Sequence, residues 1–163
     1  HGMSLQRAGN ILTDALTQKL QAFTLRNAPG HLIRRCQQRA VDLFVEEVGE
    51  SGPNTRQFAV LINVFQNPGM SQTALVEASG IDRSTLTEVL KRMIDRGMIS
   101  KARAQEDQRT NALFLTGAGV SVLKSTFEAA ERAQLRILKP LSVVDRSVAM
   151  SILEALAGGN TTP

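Results

Sequence analysis

Two short helical patterns joined by a single glycine lie near the middle of this 163-residue chain, and they constrain its fold more than any other segment. Ser71 has the form of an N-cap for the first pattern, and Leu75 and Val76 give it an apolar side. Gly80 supplies the turn, and Asp82 is the N-cap of a second, longer helix. The apolar side of that helix consists of Leu86, Val89, Leu90, Met93 and Ile94. The segment therefore predicts a helix-turn-helix.

The pattern changes from helical to extended after Gly97. Residues 98–104 and 111–116 have the composition of two strands, and the polar residues 105–110 form the tip of a β-hairpin between them. Phe114 stands between two leucines and weakens the alternation of the second strand. A helix-turn-helix followed by a hairpin predicts a winged-helix lobe over residues 53–116, with the hairpin as its wing.

Three amphipathic helices are predicted before the helix-turn-helix. The first runs from Ile11 to Arg26 and ends before the turn-forming residues 27–30, and the second ends at Gly49. The third begins at Asn54, which has the form of a capping box with Gln57. Its buried stripe is expected to consist of Phe58, Leu61, Ile62 and Phe65.

Two more helices are predicted after the hairpin. One begins at Thr116 and is stopped by Pro140, and the last is capped by Ser142 with Asp145. Their apolar stripes are Val120, Leu123, Phe127, Ala130, Leu135 and Leu138 in the first and Val144, Val148, Ile152 and Leu156 in the second. Because this is more apolar surface than one small lobe needs, we expect residues 31–52 and 117–157 to form a dimerisation region buried against a second subunit.

The predicted fold class is mainly α with a small β part (α+β): a winged helix-turn-helix with a helical dimerisation region contributed by both chain ends. His1 and Gly2 precede Met3 and are interpreted as an expression scar, so that residues 1–30 are this scar and an N-terminal extension helix. Gly158 and Gly159 begin a tail, residues 158–163, that we expect to be disordered.

Composition narrows the classes of function. The formal net charge of +4 permits a polyanionic partner without requiring one. One cysteine and two histidines are too few for an intrachain disulfide or a structural zinc site. The sequence has neither an apolar run of membrane-spanning length nor a secretion signal, so we expect a cytoplasmic protein with no membrane partner, metal or cofactor.

Motifs that carry catalysis are missing from the sequence. It contains no G-x-S-x-G, phosphate loop or H-E-x-x-H, and residues 117–119 lack the third glycine of a dinucleotide-binding loop. Glu46-Glu47 and Glu106-Asp107 are adjacent carboxylates that point apart, as on a solvated surface. We predict that the protein is not an enzyme.

The second helix of the helix-turn-helix has a face of hydroxyls and charges suited to the major groove of DNA. In this motif the second helix enters the groove by its N-terminal end, where short polar side chains reach base edges or phosphates and arginine binds guanine. Glu88 repels phosphates but is able to accept a hydrogen bond from the amino group of cytosine. The alternative is an ordinary solvated face.

The hairpin and the polar helix face together are explained better by DNA binding than by two separate solvated surfaces. Lys101 and Arg103 lie on its leading strand, and its tip carries Asp107 and Arg109. An arginine at such a tip can enter the narrow minor groove, with Asp107 holding it in place, although a charged turn by itself only keeps a hairpin soluble. The predicted DNA-binding residues are Arg83, Ser84, Thr85, Thr87, Glu88, Lys91, Lys101, Arg103, Asp107 and Arg109.

Several runs of residues match the pattern of one known family: 57–61, 80–87, 96–99, 107–109 and 113–119. Over residues 31–157 the chain resembles the MarR (multiple antibiotic resistance regulator) family of winged-helix repressors. The most specific part is an aspartate and an arginine flanking one residue at the wing tip, followed by L-x-L-T-x-x-G. Ser100 departs from the pattern, because the family often has a basic side chain there.

The resemblance implies a homodimer whose first and last two helices interleave and whose two lobes bind a palindromic double-stranded DNA operator, with recognition helices about 34 Å apart. It also implies release from DNA by a small effector, an aromatic acid or its coenzyme A thioester, bound between the dimerisation helices and the lobe. Arg34 or Arg39 is available to pair with an anionic ligand. The predicted effector residues are His31, Arg34, Cys36, Arg39, Phe44 and Phe58. The predicted function is a ligand-responsive repressor linked to aromatic compound catabolism.

Alternatives stay open for function and for single residues. His31 is also suited to the first turn of a helix, and Cys36 fits an apolar stripe, where we expect a small buried hydrophobe. A reactive Cys36 would instead make the protein a thiol-based oxidation sensor. A winged helix that binds protein partners rather than DNA is a further alternative.

Overall fold

The computed structural model describes residues 13–103 and 111–158. The chain divides into two compact units, His1–Gln38 and Arg39–Pro163. The predictions for Asp107 and Arg109, for the scar and the start of the first helix at Ile11, and for residues 159–163 of the tail lie outside the described residues.

The first unit contains helix α1 (Asp14–Ala22), a 3₁₀ turn (Leu25–Asn27) and the start of helix α2 (Pro29–Val48). The predicted end of the first helix at Arg26 is wrong, because Phe23 and Thr24 have extended backbones and stop it at Ala22. Helix α2 begins at Pro29, inside the segment predicted to be a turn. Proline suits the first position of a helix, where its fixed φ is helical and no N–H is needed.

The second unit contains the end of α2 and all later elements: α3 (Thr55–Gln66), β1 (Met70–Ser71), α4 (Gln72–Ser79), α5 (Arg83–Asp95), β2 (Ile99–Arg103), β3 (Asn111–Leu115), α6 (Gly117–Leu138) and α7 (Val143–Leu156). The predicted capping box is confirmed, with Gln57 N donating to Asn54 Oδ1 at 2.9 Å and Asn54 N donating to Gln57 Oε1 at 3.0 Å. Three other predicted caps also accept hydrogen bonds at their helix starts: Ser71, Asp82 and Ser142. Thr116, where a helix was predicted to begin, is a further N-cap.

The sheet has three antiparallel strands in the order β1-β3-β2. The predicted hairpin is confirmed, with Ile99 opposite Leu115 and Arg103 opposite Asn111. Strand β1 was not predicted, because its two residues are too few to show an alternating pattern. It pairs with β3 and places Met70 opposite Leu113. The predicted winged-helix fold, mainly helical with a small sheet, is therefore confirmed.

The core of the second unit lies between α3, α4, α5, α6 and the sheet. Its buried residues are Val60, Leu61, Val64, Leu75, Leu86, Leu90, Met93, Ile99, Leu113 and Leu123. The stripe predicted for α3 is partly wrong, because Phe65 is 53% exposed while Val60 and Val64 are buried. Apolar residues occupy two neighbouring faces of α3, and only the packing selects the face that is buried.

The apolar stripe predicted for the last helix is uncovered, and the stripe predicted for the helix before it is partly uncovered. Helix α6 buries Leu123 and Ala130, but Phe127 is 42% and Leu135 is 71% exposed. Helix α7 has no buried residue. The exposed fractions of its predicted stripe are 78%, 55%, 54% and 65% at Val144, Val148, Ile152 and Leu156. The stripe of α7 and the exposed part of the α6 stripe are therefore not part of the core of a single chain.

Ion pairs join the end of α2 to α6. Arg132 Nε lies 3.0 Å from Glu47 Oε2, and Arg136 lies 3.1 Å from Glu47 and 2.7 Å from Glu46. The hydrogen bond from Arg132 holds the pKa of Glu47 below its usual range, and Arg136 acts in the same direction. The prediction that these two carboxylates are solvated surface holds for Glu46, whose side chain is 58% exposed. It is wrong for Glu47, whose side chain is 20% exposed and pairs with both arginines.

Candidate nucleic-acid interface

Thr116 takes part in three hydrogen bonds, two of which join the end of the wing to the exit of helix α5 while the third caps the start of α6. Thr116 Oγ1 donates to Gly97 O, Thr116 N donates to Met98 O at 3.1 Å, and Gly119 N donates to Thr116 Oγ1 at 3.1 Å. A Cβ on Gly119 would lie 3.2 Å from the carbonyl carbon of Met98 and closer still to its oxygen. The threonine and glycine of the T-x-x-G run therefore fix the position of the wing relative to α5.

The start of α5 is capped by a charged group. Asp82 accepts hydrogen bonds from Thr85 Oγ1 at 2.7 Å and from Thr85 N at 2.9 Å. These bonds hold the pKa of Asp82 below its usual range, and the charge of Arg56 on α3 adds to the effect. An ionised carboxylate also interacts favourably with the positive end of the helix dipole. The capped end of α5 is thus rigidly defined at the place where DNA contacts are predicted.

Two polar pairs connect α4 with α5. Arg83 Nη2 donates to Thr73 Oγ1 at 3.0 Å, and Gln72 Nε2 donates to Thr87 Oγ1 at 2.8 Å. Thr87 Oγ1 in turn donates to the carbonyl oxygen of Arg83 at 2.8 Å. Gln72 and Thr73 were missed by the sequence analysis. Both residues directly follow Ser71, the N-cap of α4, and this end of α4 faces α5. That position is the sequence signal that identifies them.

The predicted DNA-binding residues that the structure describes lie on two surfaces of the lobe. Arg83, Ser84, Thr87, Glu88 and Lys91 are exposed on α5, whereas Thr85 is half-buried against its cap. Lys101 and Arg103 are exposed on strand β2 of the wing. The hydroxyl of Thr85 already donates to Asp82, so only its lone pairs remain for a DNA contact.

The predicted effector residues of the first unit lie near the start of α2. His31 Nδ1 and Arg34 Nη2 are 3.0 Å apart, so the ring nitrogen accepts a hydrogen bond from the guanidinium. Cys36 is exposed, and the prediction that it is a buried hydrophobe is wrong. The stripe to which it belongs is not buried in this part of α2, where Leu32 and Ile33 are also half exposed.

The predicted effector residues of the second unit lie in two different environments. Phe44 is buried with Ala130 and Ala133, and its ring packs against that of Phe58 with a centroid distance of 5.7 Å. Arg39 is exposed and lines a shallow cleft of about 330 Å³ together with Arg136.

Within the described ranges, no helix is long and apolar enough to cross a membrane.

Most of the lobe matches the model of a known protein family. The MarR family model matches residues 54–110. The transcriptional regulator HosA of Escherichia coli O127:H6 is 27% identical over 134 residues, which cover 82% of this chain and 98% of HosA.

Two solved structures are similar to this chain in both sequence and fold. The PcaV transcriptional regulator of Streptomyces coelicolor, crystallised with its natural ligand, is 34% identical with a TM-score of 0.78, over 84% of this chain and 96% of PcaV. The transcriptional repressor CouR, bound to a 23-mer DNA duplex, is 28% identical with a TM-score of 0.72, over 82% of this chain and 94% of CouR. The resemblance noted in the sequence is thus confirmed, and the chain belongs to the MarR family of transcriptional regulators.

Proposed function

We propose that this chain is a homodimeric repressor that binds a palindromic DNA operator and releases it when a small aromatic acid, or its coenzyme A thioester, binds. The observation that carries the proposal is the exposed polar face at the start of α5, next to a wing strand that presents Lys101 and Arg103. The similarity to CouR, whose structure contains duplex DNA, supports it.

On this proposal the two surfaces of the lobe contact different parts of the duplex. Arg83, Ser84, Thr87, Glu88 and Lys91 meet the major groove, because the N-terminal end of the second helix enters it. The contact with Thr73 limits the directions in which Arg83 points, which favours selective readout over a general phosphate contact. Lys101 and Arg103 approach the sugar-phosphate backbone of the DNA, and the wing tip with Asp107 and Arg109 enters the minor groove.

Dimerisation in the proposal uses residues 31–52 and 117–157, while residues 53–116 form the DNA-binding lobe and residues 1–30 an extension. The exposed stripe of α7 supports this division, since Val144, Val148 and Leu156 are each more than half exposed. An isolated chain would present this apolar surface to water, and a second copy would cover it.

The effector proposal rests on charge and on one relative. Arg34 and Arg39 are exposed cations on α2 that are able to pair with a carboxylate. His31 and Cys36 lie on the same helix. Phe44 and Phe58 pack against each other and provide apolar surface. PcaV was solved with its natural ligand bound, which supports a small-molecule effector here.

One further candidate function has an observation in its favour. Cys36 is exposed in the single chain, and a thiol-based oxidation sensor requires that the second copy leave this thiol accessible to an oxidant. Replacing Cys36 by Ser separates the two functions. The variant keeps DNA binding in both cases, but it loses release by peroxide only if the thiol is the sensor.

The test of the proposal is a titration of the purified protein onto short labelled duplexes from the promoter region beside its own gene. Fluorescence anisotropy is measured at two salt concentrations, with and without a panel of aromatic acids and their thioesters. We expect tight, salt-dependent binding to a palindrome that one compound reverses. Arg83→Ala is expected to weaken this binding, whereas Lys124→Ala removes an exposed cation from α6 and is expected to leave it unchanged. Absence of specific binding to every duplex would favour a protein partner instead.

A further inference from the structure

Helix α4, the first helix of the helix-turn-helix, adds a side chain to the polar face of α5. Gln72 is the first residue of α4 and is half-buried, and its Nε2 donates to Thr87 Oγ1 at 2.8 Å. Thr87 is exposed on α5 between Arg83 and Lys91, which lie one helical turn before and after it. We propose that Gln72 reads an adenine of the operator in the major groove and that Thr87 positions its amide. This inference rests on the proposed function.

The hydrogen-bonding capacity of the Thr87 hydroxyl is largely used within the lobe. This hydroxyl donates to the carbonyl oxygen of Arg83 at 2.8 Å and accepts from the amide of Gln72. A threonine hydroxyl has one proton and two lone pairs, so Thr87 has no donor left for DNA and retains one lone pair. Its hydroxyl is therefore better suited to holding Gln72 in place than to reading a base.

The amide of Gln72 retains both a donor and an acceptor. Its Nε2 carries two protons, and Thr87 accepts one of them. Among residues 13–103 and 111–158, no group donates a hydrogen bond to Gln72 Oε1. In the proposed contact, the N–H that points away from Oε1 serves Thr87. The other N–H and Oε1 then share one edge of the amide, which offers one donor beside one acceptor.

Adenine is the base that complements this edge of the amide. In the major groove adenine presents N7 as an acceptor beside the N6 amino group as a donor, whereas guanine presents two acceptors, N7 and O6. A glutamine placed on guanine would set Oε1 against O6, and two acceptors do not form a hydrogen bond. Because the amide is uncharged, it neutralises no phosphate. The contact of Gln72 therefore contributes to base selectivity rather than to general attraction for DNA.

The bond between Gln72 and Thr87 exists in the chain without DNA. Together with the half-burial of Gln72, it restricts the rotamers of the amide, so less side-chain entropy is lost when a base binds. One turn earlier on α5, Arg83 is restrained in the same way by Thr73, with Nη2 and Oγ1 3.0 Å apart. The start of α4 thus orients two neighbouring polar groups, and Gln72 extends the base-reading face beyond α5 itself.

The test removes single atoms from the DNA and measures affinity by fluorescence anisotropy. Each adenine in one half of the palindrome that the wild-type protein binds is replaced in turn by 7-deazaadenine, which lacks the N7 acceptor. We expect one position at which this replacement weakens binding of the wild type about two- to tenfold, the range of one neutral hydrogen bond, and does not weaken binding of Gln72→Ala. Gln66→Ala, which removes an exposed glutamine from the end of α3, is the matched control and keeps the wild-type loss.

Two variants of Thr87 test its positioning role. Thr87→Val keeps the shape of the side chain but removes the acceptor, so the effect of 7-deazaadenine at the same position is expected to shrink. Thr87→Ser keeps the hydroxyl and is expected to retain the effect. An effect of wild-type size in Thr87→Val would refute the positioning role. Thermal unfolding checks that each variant is folded, and all of them are expected to melt with the wild type.

Three results would overturn the adenine contact although the wild type binds its operator. The first is that no position has a 7-deazaadenine effect that depends on Gln72. The second is that Gln72→Ala weakens binding to every duplex equally, which indicates a phosphate contact, and the third is that Gln72→Ala binds like the wild type. In each of these cases the proposed function stands. If the wild type binds no duplex at all, the proposed function fails, and the adenine contact fails with it.

Discussion

Replacement of Gly119 by alanine tests the joint that holds the wing against α5. The added Cβ would lie 3.2 Å from the carbonyl carbon of Met98 and closer to its oxygen. Both atoms belong to the backbone, so they are unable to rotate away as a flexible side chain would. Overpacking of this kind costs typically about 1 to 3 kcal/mol, and a backbone obstacle places the expected cost in the upper half of that range.

The assay is thermal unfolding followed by circular dichroism at a fixed protein concentration, because the stability of a dimer depends on concentration. A loss of about 2 to 3 kcal/mol lowers the Tm of a chain of this size by roughly 4 to 12 °C. The matched control is Gly117→Ala, whose Cβ meets nothing within 4 Å. Since alanine is the better helix former, this control is expected to melt at or above the wild-type temperature. A Gly119→Ala protein that melts with the wild type would refute the proposed close packing.

Three further predictions concern charge and the interface. The lowered pKa of Glu47 implies that its bond to Arg132 stabilises the fold above the ordinary value of 4.5 and that this contribution is lost as the pH falls below it. Urea unfolding between neutral pH and pH 3 therefore shows a smaller loss of stability in Glu47→Gln than in wild type, and parallel curves would count against the ion pair. Arg109→Ala is expected to lower the slope of log affinity against log salt by about one, and an unchanged slope in anisotropy titrations would count against a contact between Arg109 and the DNA. Gln72→Ala removes the donor to Thr87 and is expected to weaken operator binding about two- to tenfold without a change in Tm. Unchanged affinity would show that this pair does not orient α5.

Local signals in the chain predicted most of the elements of the lobe. The caps at Asn54, Ser71, Asp82 and Thr116 each involve groups at most three residues apart, so they are visible without any knowledge of the fold. The end of the first helix was predicted less well, because the extended backbone at Phe23 has no glycine or proline to mark it. Strand β1 depends on pairing with residues more than forty positions away, and no local pattern reveals it.

In the candidate interface, too, local features were predicted from the sequence, whereas contacts between helices were not. The exposed positions of Arg83, Ser84 and Glu88 follow from the periodicity of one helix and were predicted. The bonds from Gln72 to Thr87 and from Arg83 to Thr73 join two helices, and only their packing brings these groups within reach. The effector residues were assigned from two helices and one resemblance, and the packing of Phe44 against Phe58 joins these two helices.

The sequence by itself determined where helices begin, which face of α5 is polar and which family pattern the chain follows, since these depend on residue types at short, regular spacing. Tertiary structure alone decided that Glu47 is paired rather than only solvated, that Cys36 is exposed and that Gly119 must lack a side chain. Each of these depends on what a distant segment places beside the residue. That information is carried by the packing of the whole chain, because an isolated helix presents the same residues whichever neighbours it meets.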